Sequence, residues 1–258
     1  MLQIDTTVVA VMTILGVSAF VRSAIGFGDA LVAMGLITNW IGLQTAAPLV
    51  ALVGTFISSV ILAAQWRQLN LQSALPLIIS TLVGIPIGLA LLKLAPESIA
   101  RTVLGVLLIT YGAYGLLDLK LPVMTTDRFA SLFGFVAGVL GGAYNTNGPA
   151  IVVYGTLKRW QPEQFRLTLQ GYFFFTNFLI IAGHAISGLW TTQVWSLFFV
   201  SLPAVGISVW LGSIANQHIK RELFAKLTFG VLFFVGLLSL FQGVRGLSSI
   251  ESTAQTND

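Results

Sequence analysis

Long apolar runs alternate with short polar links, and nearly every charge sits in the links. The runs are Val8–Val21, Ala30–Leu43, Ala46–Gln65, Ala74–Leu92, Ile99–Leu117, Phe129–Gly142, Ala150–Leu157, Leu167–Leu189, Val194–Ala215 and Leu223–Val244. A helix needs about 20 apolar residues to cross the hydrocarbon core of a bilayer. Several runs reach that length, and the pattern leaves room for six to eight crossings and little else. Only 9% of the 258 residues are charged and 56% are hydrophobic, so no water-facing surface can be built from this chain. The fold expected is an all-α polytopic membrane protein. The segment Met1–Thr7 carries Asp5 and no Lys or Arg, so the first run reads as a retained helix rather than a cleaved leader. Arg245–Asp258 reads as a polar tail.

The pattern restarts after Asp118–Arg128, which points to an internal repeat. Phe20–Gly26 aligns with Phe135–Gly141, Leu75-Pro76 with Leu202-Pro203, and Arg101–Leu107 with Lys226–Leu232, in the same order. The division expected is a first half over 1–117, a polar link over 118–128, a second half over 129–244 and a tail over 245–258, all one membrane domain. Repeat-built transporters bind substrate between their halves near the bilayer midplane.

Two places interrupt apolar runs with glycine and polar residues: Ser23–Asp29 and Ala143–Pro149. Backbone outside a helix cannot face lipid, so these breaks must be buried in protein or line a cavity. The helices that follow them begin inside the membrane, and a helix N-terminus favours an anion. Pro149 suits a first helical turn. Arg22 brings a permanent positive charge to the first break, although an arginine there can equally end a helix and snorkel to the headgroups. Asp29 is either its ion-pair partner, a cap, or a proton carrier. Asn145, Thr146 and Asn147 either cap a helix or bind a ligand. Gln170, Asn177 and His184 are spaced by seven on one run and share one inward face. His184 reads as a helix–helix hydrogen bond or a proton relay. Arg166 heads that run, and Lys158–Arg166 is a polar loop. Glycine pairs such as Gly84-x3-Gly88 read as close helix packing. Trp40, Trp66, Trp190 and Trp195, near run ends, read as interfacial anchors.

Much chemistry is excluded. With no cysteine, there is no disulfide, thiolate nucleophile or thiolate metal site. The chain has no phosphate-binding glycine loop, no nucleophile-elbow motif and no cluster with metal-ligand spacing. No enzyme activity, metal or cofactor is expected, and the net charge of +4 sits at run ends rather than in a nucleic-acid patch.

The chain resembles the TauE/SafE sulfite-exporter family. The resemblance lies in Gly26-Phe27-Gly28-Asp29, Gly84-Ile85-Pro86-Ile87-Gly88, Leu94–Arg101, the second break Gly141–Pro149, and Phe165-Arg166-x-Thr168. It departs from the family at Gly28-Asp29-Ala30, where further glycines are common, and at Asn145-Thr146-Asn147. The resemblance implies a transporter of sulfite, sulfonates or similar small anions. The substrate site expected comprises Arg22, Gly26, Gly28, Asp29, Tyr144, Asn145, Thr146, Asn147, Gly148, Pro149, Arg166, Gln170 and Asn177. Asp29 and His184 are the candidates for coupling, with a proton or sodium as coupling ion. An anion channel and a non-transporting scaffold subunit are the alternatives. The partners expected are the anion, the bilayer and a second copy of the chain.

Two topologies fit the charges. If every run crosses, Arg22, Lys93, Arg101 and the 158–166 and 220–226 basic residues share one side. If each break is the tip of a re-entrant hairpin, nine basic residues lie on one side, three (Lys93, Arg101 and Arg245) on the other, and Arg22 lies within the membrane. The short runs beside each break favour the hairpins. Both place the termini outside, in the inner membrane of a bacterial cell, because basic loops face the cytoplasm.

Overall fold

The computed structural model of the protein describes residues 5–65, 74–117, 122–218 and 221–255. Trp66, Arg67, Lys120 and Lys220 lie outside them. The described residues form ten helices: α1 Thr6–Ile25, α2 Asp29–Ile41, α3 Leu43–Gln65, α4 Leu75–Leu94, α5 Glu97–Leu116, α6 Ala130–Tyr144, α7 Gly148–Leu157, α8 Pro162–Ile186, α9 Thr192–His218 and α10 Arg221–Gln255. Seven are long and apolar enough to cross a membrane; α2, α6 and α7 are shorter. The protein is an all-helical polytopic membrane protein. Outward-facing Val83, Trp210 and Phe234 are each more than 60% exposed, as lipid-facing side chains are when no polar face is required.

Both breaks are shorter than the sequence suggests. α1 runs through Ser23, Ala24 and Ile25, and α2 starts at Asp29, leaving Gly26–Gly28. Likewise α6 runs through Tyr144, and α7 starts at Gly148. The two helices end alike, each on a left-handed residue: Gly26 at φ 104° and Asn145 at φ 53°. Glycine and asparagine are the residues that tolerate this cap. These ends set Gly26 against Asn145, a turn beyond the Gly26–Gly141 alignment read from the sequence. Pro76 opens α4, and Pro203 lies inside the longer α9.

Helix direction follows from which glycines meet which neighbours. In α4 and α6, Gly134 lies against Leu77, Gly138 against Thr81 and Gly84, and Gly142 against Ile85. Both numbers rise together, so the helices are parallel. In α1 and α9, Gly16 lies near Ser208 and Gly212 near Phe20, again parallel. In α5 and α10, Gly105 meets Gly236 and Leu240, Gly112 meets Phe229 and Phe233, and Gly243 meets Thr102. Here the numbers run oppositely, so α5 and α10 are antiparallel. Contacts recur with an offset of five helices: α4 with α6 as α9 with α1, α3 with α9 as α8 with α4. Corresponding helices that run in opposite directions form an inverted repeat.

One face of the molecule is tied together by Arg101, which donates to Thr38 O, Asn39 Oδ1, Gln242 Oε1 and Glu97 Oε1. Gln44 Nε2 bonds Leu92 O, and Lys93 Nζ bonds Ser187 O, on the same face. We call it the near face. α1 parallels α9 and so rises from the near face; α2 packs back along α1 and returns to it at Thr38. The second hairpin enters from the distal face. Its base is closed by Met124 N to Leu157 O at 2.8 Å and by the Lys158–Asp127 ion pair at 2.8 Å. Each break is thus the tip of a hairpin, and the two tips enter from opposite faces.

Candidate functional site

The tips meet inside the molecule. A narrow, partly open cleft, with room of about 20 Å³ for the centre of a water-sized sphere, is lined by Arg22, Phe27–Leu31, Asn145–Pro149, Phe173 and Asn177. Three elements build it. α1 delivers Arg22 in its last turn, where the negative end of the helix dipole favours a cation. α2 and α7 both start at the cleft, at Asp29 and Gly148, so two positive helix ends converge there. α8 adds Phe173 and Asn177 from its inward face; Gln170, Asn177 and His184 on that face are all buried.

Arg22 is 3% exposed. Its Nη1 pairs with Asp29 Oδ2 at 2.9 Å and its Nη2 donates to Ser58 Oγ at 2.5 Å. Its guanidinium lies 5.0 Å from the centre of the Phe173 ring, within range of a cation–π contact. Its Nε has no partner, and neither does Asn145 Oδ1. Buried polar atoms are seldom left unbonded in a finished site. Asn147 does not cap α7 with its side chain; its Nδ2 bonds Thr176 Oγ1 at 3.0 Å. Asp29 is an ion-pair partner, at the first position of its helix.

Gly54 of α3 marks the centre of the donor wall. A Cβ built there would lie 3.4 Å from both Asn145 Nδ2 and Asn177 Nδ2, and 3.6 Å from Arg22 Nη1. Three donor nitrogens from three elements therefore gather over the face of α3 that Gly54 leaves without a side chain. The other wall is apolar: Phe27, Leu31, Pro149 and Phe173. Neither Gly54 nor Ser58 was expected from the sequence. Both lie in α3, an unbroken helix whose small polar stripe, Gly54-x3-Ser58 beside Thr55-x3-Ser59, was the signal available, and the tertiary fold shows that it faces the tips.

Nine of the expected residues line the cleft: Arg22, Gly28, Asp29, Asn145, Thr146, Asn147, Gly148, Pro149 and Asn177. Gly26 and Gln170 stand beside it, joined by Gln170 Nε2 to Gly26 O at 3.0 Å. Tyr144 turns away, its hydroxyl donating to Ala100 O at 3.0 Å. Ala100 lines a second recess on the near face, with Ile41–Thr45, Leu92, Ala95 and Glu97. His184 sits apart from the cleft with Nε2 3.2 Å from Gly142 O. Arg166 belongs to α8, but its side chain is outside the described residues.

The family model for the sulfite exporter TauE/SafE matches residues 10–239. The chain belongs to the TauE/SafE sulfite-exporter family. Comparison with curated proteins and with solved structures found no match. Membership makes this a membrane transporter of sulfur-containing anions at the level of its class, rather than an enzyme. As a TauE/SafE protein it has both hairpin tips, and the cleft between them, within the matched span.

Proposed function

We propose that the chain carries a small monovalent or divalent anion of the sulfite or sulfonate kind across the membrane, bound between the hairpin tips at Arg22. One observation carries the reading. Two polar breaks more than 110 residues apart in sequence converge on one cleft, and that cleft holds a buried arginine and two helix N-termini. Buried charges in membrane segments mark substrate or ion pathways. Arg22, Asn145 and Asn177 hold the charged head, and the Phe27–Phe173 wall takes whatever apolar part the anion has. The halves 1–117 and 129–244 supply one tip each. The proposed setting is a bacterial inner membrane with the distal face cytoplasmic. Among the described residues, the distal ends of the helices and their links carry Arg128, Lys158, Arg159, Arg166, Arg221 and Lys226, against Lys93, Arg101 and Arg245 on the near face.

The test is thermal unfolding of purified protein against sulfite, thiosulfate, methanesulfonate and sulfoacetate at matched ionic strength. A ligand at about 100 times its Kd stabilises the folded state by about 2.7 kcal/mol. The expected result is a selective upward shift that Arg22→Ala abolishes. A flat response in well-folded protein would remove the anion site.

A further inference from the structure

We infer that Asp29 carries a proton with each anion, so that net transport is electroneutral anion–proton symport; this rests on the anion site proposed above. The starting point is charge. Among the described residues, Arg22 and Asp29 are the buried Arg, Lys, Asp and Glu side chains, and they are paired with each other. The empty site is therefore neutral. An uncompensated charge in a low-dielectric interior costs several kcal/mol, so a carrier that reorients empty benefits from this internal neutralisation. The Asp29 carboxylate occupies Arg22 Nη1, the guanidinium nitrogen that stands with the Asn145 and Asn177 amides over Gly54.

An incoming anion meets two negative groups and one positive one. The count closes if a proton enters too. The anion takes the Nη1 bond, the Asp29 carboxylate accepts the proton and becomes a neutral acid, and the loaded site holds one cation and one monovalent anion. No covalent bond of the substrate changes. Both the empty and the loaded site are then neutral.

Among the described side chains, no other charge on the surrounding elements substitutes for that proton. α3 offers Ser58, the second tip Asn145 and Asn147, and α8 Phe173 and Asn177. α10 presents Thr228 beside Gly28, with its nearest cation, Lys226, on the exposed side. Behind Phe229, α5 adds the phenols Tyr111 and Tyr114. His184 is seven residues along α8 from Asn177, a rise of about 10 Å. Sodium is disfavoured at Asp29 itself, because its carboxylate is bonded to an Arg22 nitrogen and sits at a helix N-terminus, and both repel a cation.

The experiment uses full-length protein in liposomes with labelled methanesulfonate, which brings no titratable proton of its own. Counterflow at equal pH reports carriage alone. Net uptake is then driven separately by a pH gradient, a potassium–valinomycin potential and a sodium gradient, while an internal dye follows pH. We expect about tenfold accumulation per pH unit, acid outside, one proton per anion, and no response to potential or sodium. In Asp29→Asn, whatever its rate, uptake carries no protons. Wild-type counterflow with uptake that follows the potential or sodium, and no proton movement, would overturn this inference and leave the anion site standing. Absence of counterflow would overturn both.

Discussion

Gly54 separates binding from folding at the scale of a single residue. Its added Cβ would sit 3.4–3.6 Å from the three donor nitrogens, ordinary contact distances. The empty protein should therefore accept Gly54→Ala, with a gain of about 0.5–1 kcal/mol from the lost helix glycine. The methyl group crowds the three donor nitrogens from behind and limits how far they can turn toward an anion. Gly54→Ala is expected to unfold at or slightly above the wild-type temperature while losing at least tenfold in anion-induced stabilisation. If it binds the anion normally, the donor wall is not the site. Arg22→Ala cannot make this distinction alone, because it leaves Asp29 buried and unpaired, a change that costs about 3–5 kcal/mol in itself.

At the scale of elements, two features can be tested. The α4–α6 seam brings backbone against backbone: a Cβ at Gly88 would lie 2.8 Å from Ala143 N, and one at Gly142 would crowd Ile85 O. Gly88→Ala should lower the unfolding temperature, with a cost of about 1–3 kcal/mol for overpacking. Gly230 on α10 meets nothing within 4 Å, so Gly230→Ala should leave that temperature unchanged or raise it. The second feature is the base of the distal hairpin. The Lys158 ammonium, and after it the Tyr154 hydroxyl, donate to the Asp127 carboxylate and hold its carboxyl below the usual range. A carboxylate with a lowered folded pKa stabilises above its unfolded value, about 3.9, and stops doing so as pH falls through the lower folded value. Asp127→Asn should thus unfold slightly below wild type at pH 7, and the two curves should begin to converge below about pH 4 and merge only once pH has fallen past the lowered folded value. The effect is small because Asp127 is solvent-exposed.

The whole molecule makes a topological prediction, and the absence of cysteine makes it easy to test. Gln193 lies at the near face, at the start of α9, and Thr125 at the distal face, beside the Lys158 clamp. With the distal face cytoplasmic, an impermeant maleimide should label Gln193→Cys in intact cells and Thr125→Cys only after permeabilisation. The reverse pattern would invert the orientation. Equal labelling of both from outside would contradict hairpins that enter from opposite faces.

What could be read from the sequence follows from solvent. Apolar runs with charges gathered between them can only be membrane helices, and glycine-polar breaks within them can only be enclosed. The restart after residue 118 is visible for the same reason. Those facts reached Arg22, Asp29 and Asn145–Asn147 without coordinates. The contraction of each break to three residues was not visible, because Ser23–Ile25 and Ala143–Tyr144 are compatible with helix and only a left-handed cap ends it. Whether the breaks were crossings or hairpin tips depended on which helices run parallel, and that is set by glycine seams between segments distant in the chain. The pairing of Arg22 with Asp29 and Ser58, and the gathering of donor nitrogens over Gly54, arise where α1, α3, α8 and the two tips converge. No local pattern by itself encodes that convergence, because the small polar stripe of α3 at Gly54, Thr55, Ser58 and Ser59 fits plain close helix packing equally well.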